Sequence, residues 1–265
     1  MRVDRLLGVV LVLCALMGSL ATARADSPGI TEASEVSFRL AARSTDRAYM
    51  GPHDKASALS ADPDIYLVYR LSSRGFEARA TARGLLHRTN IGERVDTNVK
   101  FGTLEFGPKW GATSLLLVWE PTYAYRPRTG RKIMEQQDVG LKLKRAVLVG
   151  RRSKTPVQFS FKLSYANNHP DSFSRVRFVA DAQWTTRLGA RSQINWAPEL
   201  GFARYDSFFG KERTDLIFSL RATPRRELGG GASIGISFMG GLAASTHSQR
   251  SGYEFEVRPE LRFRL

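Results

Sequence analysis

Residues 253–265 read Tyr-Glu-Phe-Glu-Val-Arg-Pro-Glu-Leu-Arg-Phe-Arg-Leu. Tyr253, Phe255, Val257, Pro259, Leu261, Phe263 and Leu265 take every second position, and Glu254, Glu256, Arg258, Glu260, Arg262 and Arg264 fill the places between. A strand turns successive side chains to opposite faces, so this segment has one oily side and one ionic side. At helical period the same residues would scatter charge around the whole surface. The stretch therefore predicts a β-strand that separates two very different environments.

Upstream segments repeat the pattern. Val157, Phe159, Phe161, Leu163 and Tyr165 alternate with Gln158, Ser160, Lys162 and Ser164. Val176, Phe178, Ala180, Ala182 and Trp184 alternate with Arg175, Arg177, Asp181 and Gln183. The same reading predicts strands over 36–44, 65–71, 76–86, 97–106, 114–125, 138–149, 157–166, 175–186, 192–204, 215–223, 230–243 and 253–265. Several are near ten residues, which is what a tilted strand needs to cross a bilayer, against roughly five or six in soluble proteins. Segments 65–71 and 97–106 alternate poorly, so their inward residues are not fixed by pattern.

The expected connections alternate in length. Ser72–Gly75, Arg187–Arg191 and Pro224–Gly229 fall on a short side, and Ala48–Asp64, Arg126–Gln137 and Ser245–Gly252 on a long side. Transmembrane barrels have an even strand count, with short turns at the periplasmic end and longer loops outside, and both termini then lie in the periplasm. Tyr66, Tyr123, Tyr125, Tyr165, Tyr205 and Tyr253 are expected in a girdle beside the long connections, with Trp110, Trp184 and Trp196 near the short turns. Pro121, Pro198 and Pro259 run against the pattern, because each removes a ladder hydrogen bond from a strand flanked on both sides.

The first 25 residues read as a secretory signal: Arg2 and Arg5, an apolar run from Leu6 to Ala21, then Ala23-Arg24-Ala25 as a small-x-small cleavage site. Residues 26–35 are expected to form a short periplasmic segment before the barrel of 36–265. Cys14 is the single cysteine and lies within that signal, so disulfides, thiol nucleophiles and thiolate metal sites are excluded from the exported chain. With 40 Lys+Arg against 25 Asp+Glu the chain carries a formal charge of +15. The bases are spread through alternating strands, which argues against nucleic acid as a partner.

These features resemble the Gram-negative outer-membrane β-barrels, and residues 253–265 are similar to the C-terminal insertion signal read by the assembly machinery of that class. In size, strand count and basic inward face the chain resembles the small twelve-stranded porins that conduct oligogalacturonate or sialic acid. The resemblance implies an all-β closed antiparallel barrel in the bacterial outer membrane. The implied role is a channel for anionic solutes, either acidic oligosaccharides or an exported acidic polysaccharide, without a cofactor or metal. A soluble exported β-sandwich is the structural alternative.

If the oily faces meet lipid, the bases expected to line the pore are Arg39, Arg43, Arg79, Arg83, Lys142, Lys144, Lys162, Arg175, Arg177, Arg221, Arg258 and Arg262. The acids expected beside them are Glu77, Asp181, Glu199, Asp215, Glu254, Glu256 and Glu260, so bases exceed acids by about two to one, a lining that would concentrate anions. Arg–Glu cross-bracing of a plugged structural barrel remains open as an alternative. So does an outer-membrane lipid or lipopolysaccharide hydrolase, because twelve-stranded barrels also include phospholipases and lipid A deacylases. Its candidate residues are His169, Asp171 and Ser172, in a set where an imidazole would activate a hydroxyl. The histidines His53, His87, His169 and His247 are all expected in or beside external connections. The basic connection from Arg126 to Lys132 is expected to meet lipopolysaccharide phosphates.

Overall fold

The computed structural model describes residues 31–49, 55–90, 96–150, 155–247 and 250–265. The expected signal at 1–25 lies outside the described residues. Twelve strands form one closed antiparallel barrel in which each strand pairs with its neighbours in sequence and the first pairs with the last. They are β1 (Thr31–Tyr49), β2 (Lys55–Ser72), β3 (Phe76–Thr89), β4 (Thr97–Trp110), β5 (Thr113–Tyr125), β6 (Lys132–Val149), β7 (Thr155–His169), β8 (Arg175–Arg187), β9 (Ser192–Phe208), β10 (Lys211–Gly229), β11 (Ala232–Ser245) and β12 (Gly252–Arg264). Closure leaves no sheet edge with unpaired backbone groups, which is the condition for crossing hydrocarbon with strands.

The strands are longer than alternation suggests, and they consume the expected long loops. β1 begins at Thr31, within the expected periplasmic segment, and most of the expected 48–64 loop is strand paired between β1 and β2. The expected ten-residue link between β9 and β10 is a two-residue turn of Phe209 and Gly210, both at positive φ (49° and 80°). That is the backbone hand that matches the twist of a hairpin. On the opposite end, Gly230 and Gly231 turn β10 into β11 in the same way, at φ 58° and 77°.

The prolines that fit poorly with a strand sit where the wall has already given up hydrogen bonds. Partners skip from Arg39↔Glu260 to Ala42↔Val257 beside Pro259, from Phe101↔Thr122 to Leu104↔Trp119 beside Pro121, and from Asp181↔Glu199 to Trp184↔Trp196 beside Pro198. Pro63, Pro108 and Pro224 sit at matching lapses. In every case the register is unchanged across the lapse and pairing on the proline's other side continues, for example Pro259↔Ile236 and Pro198↔Leu220. A proline lacks one N–H on one side only, so each costs a local opening without shifting the strand.

Polarity is inverted relative to a soluble domain. Phe38, Phe106, Leu141, Phe161, Phe178, Phe202, Phe218, Phe238 and Phe255 are all exposed on the outside, whereas Glu35, Asp62, Asp64, Asp138, Lys162, Arg225, Arg258 and Glu256 are buried within. An apolar belt of this extent is what acyl chains solvate. Trp184 and Trp196 stack on the outer wall with ring centroids 6.2 Å apart. Tyr66 and Tyr205 are corrections to the expected girdle. Register turns both inward, Tyr66 opposite Arg83 and Tyr205 opposite Arg213, and each serves as a partner for arginine.

Phe161 is exposed near the middle of β7. Phe161→Arg should cost about 2–4 kcal/mol when the barrel is unfolded from lipid vesicles by denaturant, the toll for a lipid-facing arginine near the bilayer midplane. A loss below about 1 kcal/mol would mean that this face is not in hydrocarbon.

Candidate functional site

Cross-strand register settles which side chains face the enclosed space. On β2 these are Asp62, Asp64, Tyr66 and Val68, and on β4 Phe101, Thr103 and Glu105. On β5 they include Leu116, Val118 and Glu120, each opposite an inward residue of β6. All twelve bases named from the sequence stand on this inward phase.

The two-to-one excess of bases is not found. The register also turns inward Glu35, Asp62, Asp64, Glu105, Glu120 and Asp138, which sequence reasoning left out, along with the further bases Arg70, Lys109, Arg213 and Arg225. Most of the charge is cross-braced. On one wall Asp64 accepts from Arg39 at 2.7 Å and from Arg83 at 2.6 Å. Glu256 accepts from Arg43 and Arg258, both at 2.8 Å. Glu260 holds Arg225 and Arg262, both at 2.8 Å, and Arg262 reaches Glu35 at 3.0 Å. On the facing wall Lys142 meets Glu105 at 3.0 Å, Lys144 meets Glu77, and Lys162 meets Glu120 at 2.5 Å.

The remainder is more informative. Arg177 is held loosely, 3.6 Å from the half-exposed Glu199. Arg79 donates to the Tyr66 hydroxyl at 2.9 Å, Arg175 to the Gln136 side-chain oxygen at 3.3 Å and the Phe173 carbonyl at 3.2 Å, and Arg221 to the Met239 sulfur at 3.3 Å. Among the described residues none of these three has a carboxylate in ion-pair reach. Neutral partners satisfy some of the donors without bringing an anion into contact, and the Nε donors of Arg79 and Arg221 are buried without an acceptor. A guanidinium in that state presents the planar fork that carboxylates and phosphates bind.

At the end opposite the β10–β11 turn, an aromatic cluster packs around Arg213. The Arg213 guanidinium lies 4.3 Å from the Tyr205 ring and 4.4 Å from the Phe208 ring, and its Nε donates to Asp215 at 2.8 Å. Phe173 and Phe209 pack edge-on against Phe208 or each other, and His247 lies 5.6 Å from Phe208. Cations held over ring faces in this way are attracted by the ring quadrupole.

The alternative catalytic set is not assembled. His169 ends β7 on the outward phase, opposite Glu135, and Asp171 and Ser172 lie in a single 3-10 turn. No hydrogen bond joins the three among the described residues. His87 stands two residues before the end of β3, beside the connection as expected, and faces inward with its Nδ1 2.8 Å from Asp62. His53 lies outside the described residues.

No family model matches the chain, and no curated protein matches it. Among solved structures, it is similar to the COG4313 outer membrane channel from Pseudomonas putida F1, at 13% identity and a TM-score of 0.59, covering 89% of this chain and 96% of that one. A KdgM porin, solved in complex with disordered oligogalacturonate, aligns over 86% of this chain and 98% of that one, at 6% identity and a TM-score of 0.49. The first likeness agrees with the twelve-stranded barrel on the fold.

Asp64→Asn would leave Arg39 and Arg83 without their shared anion. Breaking a buried pair of this kind is expected to cost about 3–5 kcal/mol, measured as the drop in unfolding free energy in vesicles. A cost near zero would mean that the two arginines find another partner or open water.

Proposed function

We propose that this barrel is a channel of the bacterial outer membrane that passes anionic solutes, with acidic oligosaccharides as the substrate class. The observation that carries the reading is the inward trio Arg79, Arg175 and Arg221, which no carboxylate reaches within ion-pair distance among the described residues, in a lining where most of the other charge is braced. A solute carboxylate can exchange into such a position, whereas it would have to displace an acid at Arg39 or Arg258. Ser219 also faces inward, partly exposed, and offers a hydroxyl of the kind that sugars exchange hydrogen bonds with. Conduction needs binding that is favourable enough to admit the solute and weak enough to release it. Three separated guanidiniums suit that better than one dense cluster.

The same reading places the chain ends and the β10–β11 turn in the periplasm and the Arg126–Arg131 connection outside, with export through the signal at 1–25. Selectivity in this account is set by these few arginines rather than by a general excess of base.

The test is a planar-bilayer recording under a potassium chloride gradient. The reversal potential should show an anion preference, and replacing Arg79, Arg175 and Arg221 together by Ser should reduce or reverse it without loss of the folded barrel. A silent bilayer, or a cation preference in the unaltered protein, would overturn the proposal.

A further inference from the structure

The outer wall carries a cavity of about 940 Å³ over β12, β1, β2, β3 and β4. Ile234, Leu261, Phe38, Ile65, Gly84 and Lys100 form one cross-strand row along it, each the register partner of the next. The cavity faces the membrane rather than the lumen, because twelve of its lining strand residues are on the outward phase and the five inward ones, Arg39, Asp64, Leu85, Val99 and Glu260, each stand between two outward residues that also line it. Gly84 contributes no side chain to the row, so the wall is recessed between Ile65 and Lys100. Pro127 and Gly130 of the β5–β6 connection close one end.

That closed end is basic. Lys100 faces outward, opposite Tyr123, with its ammonium 5.5 Å from the Tyr125 ring. A lysine and two tyrosines at one height mark the level of lipid head groups. The adjoining connection adds Arg126, Arg128 and Arg131. An oily recess that ends in several spaced cations is complementary to a lipid whose head bears more than one phosphate, since each phosphate gains charge-assisted hydrogen bonds.

We infer that this groove is a binding site for lipopolysaccharide, with acyl chains along Phe38, Leu86 and Leu261 and phosphates at Lys100 and the β5–β6 arginines. The inference rests on the barrel spanning the outer membrane with that connection outward, and it is independent of which ions the lumen conducts.

The full-length protein extracted from membranes in mild detergent should retain lipopolysaccharide, counted by native mass spectrometry. Lys100→Glu should lower the retained fraction by about fivefold or more, the worth of one basic charge at an anionic surface. Leu86→Trp should lower it by crowding the recess, and both changes lie on the outer face, where folding is checked by gel mobility before and after heating. Refolded protein in phosphatidylcholine vesicles should then capture added lipid A in preference to phosphatidylglycerol. Equal capture of phosphatidylglycerol, or retention unchanged in both variants, would overturn the assignment. Loss of anion preference with lipid retention intact would count against the channel reading alone.

Discussion

A wall that meets hydrocarbon must satisfy its own backbone, because acyl chains offer no hydrogen bonds in return. This constraint organises the whole molecule. It requires β1 to find β12, with the register running from Glu35↔Arg264 to Thr45↔Glu254, and it keeps twelve strands in continuous antiparallel order. Six of the seven in-strand prolines, all but Pro156 at the start of β7, show how closely the constraint is observed. Each stands at a two-residue lapse on one side only, and the ladder resumes in the same register beyond it. The openings are local, so side chains above and below each proline keep their faces.

Keeping those faces apart is what makes an ionic interior possible. The apolar belt is turned outward, and the groups that would be costly in lipid are gathered inside, where they brace one another. Asp64 bridges arginines of the two strands beside its own, and Glu256 and Glu260 each tie an arginine of their own strand to one on another. Such buried bridges gain little net stability over an apolar filling. They hold the lining in a fixed pattern and leave Arg79, Arg175 and Arg221 without a carboxylate in ion-pair reach among the described residues, the positions on which the proposed anion channel depends.

Sequence alternation was sufficient for β7, β8, β9, β10 and β12, where one face is oily and the other charged, and it identified all twelve bases as inward-phase residues. It failed where the interior itself is apolar. Leu116 and Val118 face inward and are fully buried, and Phe101 faces inward beneath the Arg83 guanidinium at 4.8 Å. Hydrophobic residues on both faces of β4 and β5 erase the period-two signal, and with it the inward phase of Glu105 and Glu120. On β2 the run Asp62-Pro63-Asp64-Ile65-Tyr66 alternates correctly, but the expected strand began one residue too late to include Asp64. Strand ends beyond the membrane, such as Tyr205–Phe208 and Lys211–Asp215, are no longer under the lipid constraint. Their pairing is therefore visible only in three dimensions.

The central claim is that successive residues along one strand see lipid and water in turn. It is tested most directly by introducing single cysteines along β10, from Leu216→Cys to Arg221→Cys, in a signal-cleaved chain that otherwise has none. The barrels are then reconstituted in vesicles and treated with a small membrane-impermeant maleimide. The account predicts that positions 217, 219 and 221, which face inward and are partly exposed, react while 216, 218 and 220 stay protected. Uniform reaction at all six, or protection with the opposite parity, would contradict it.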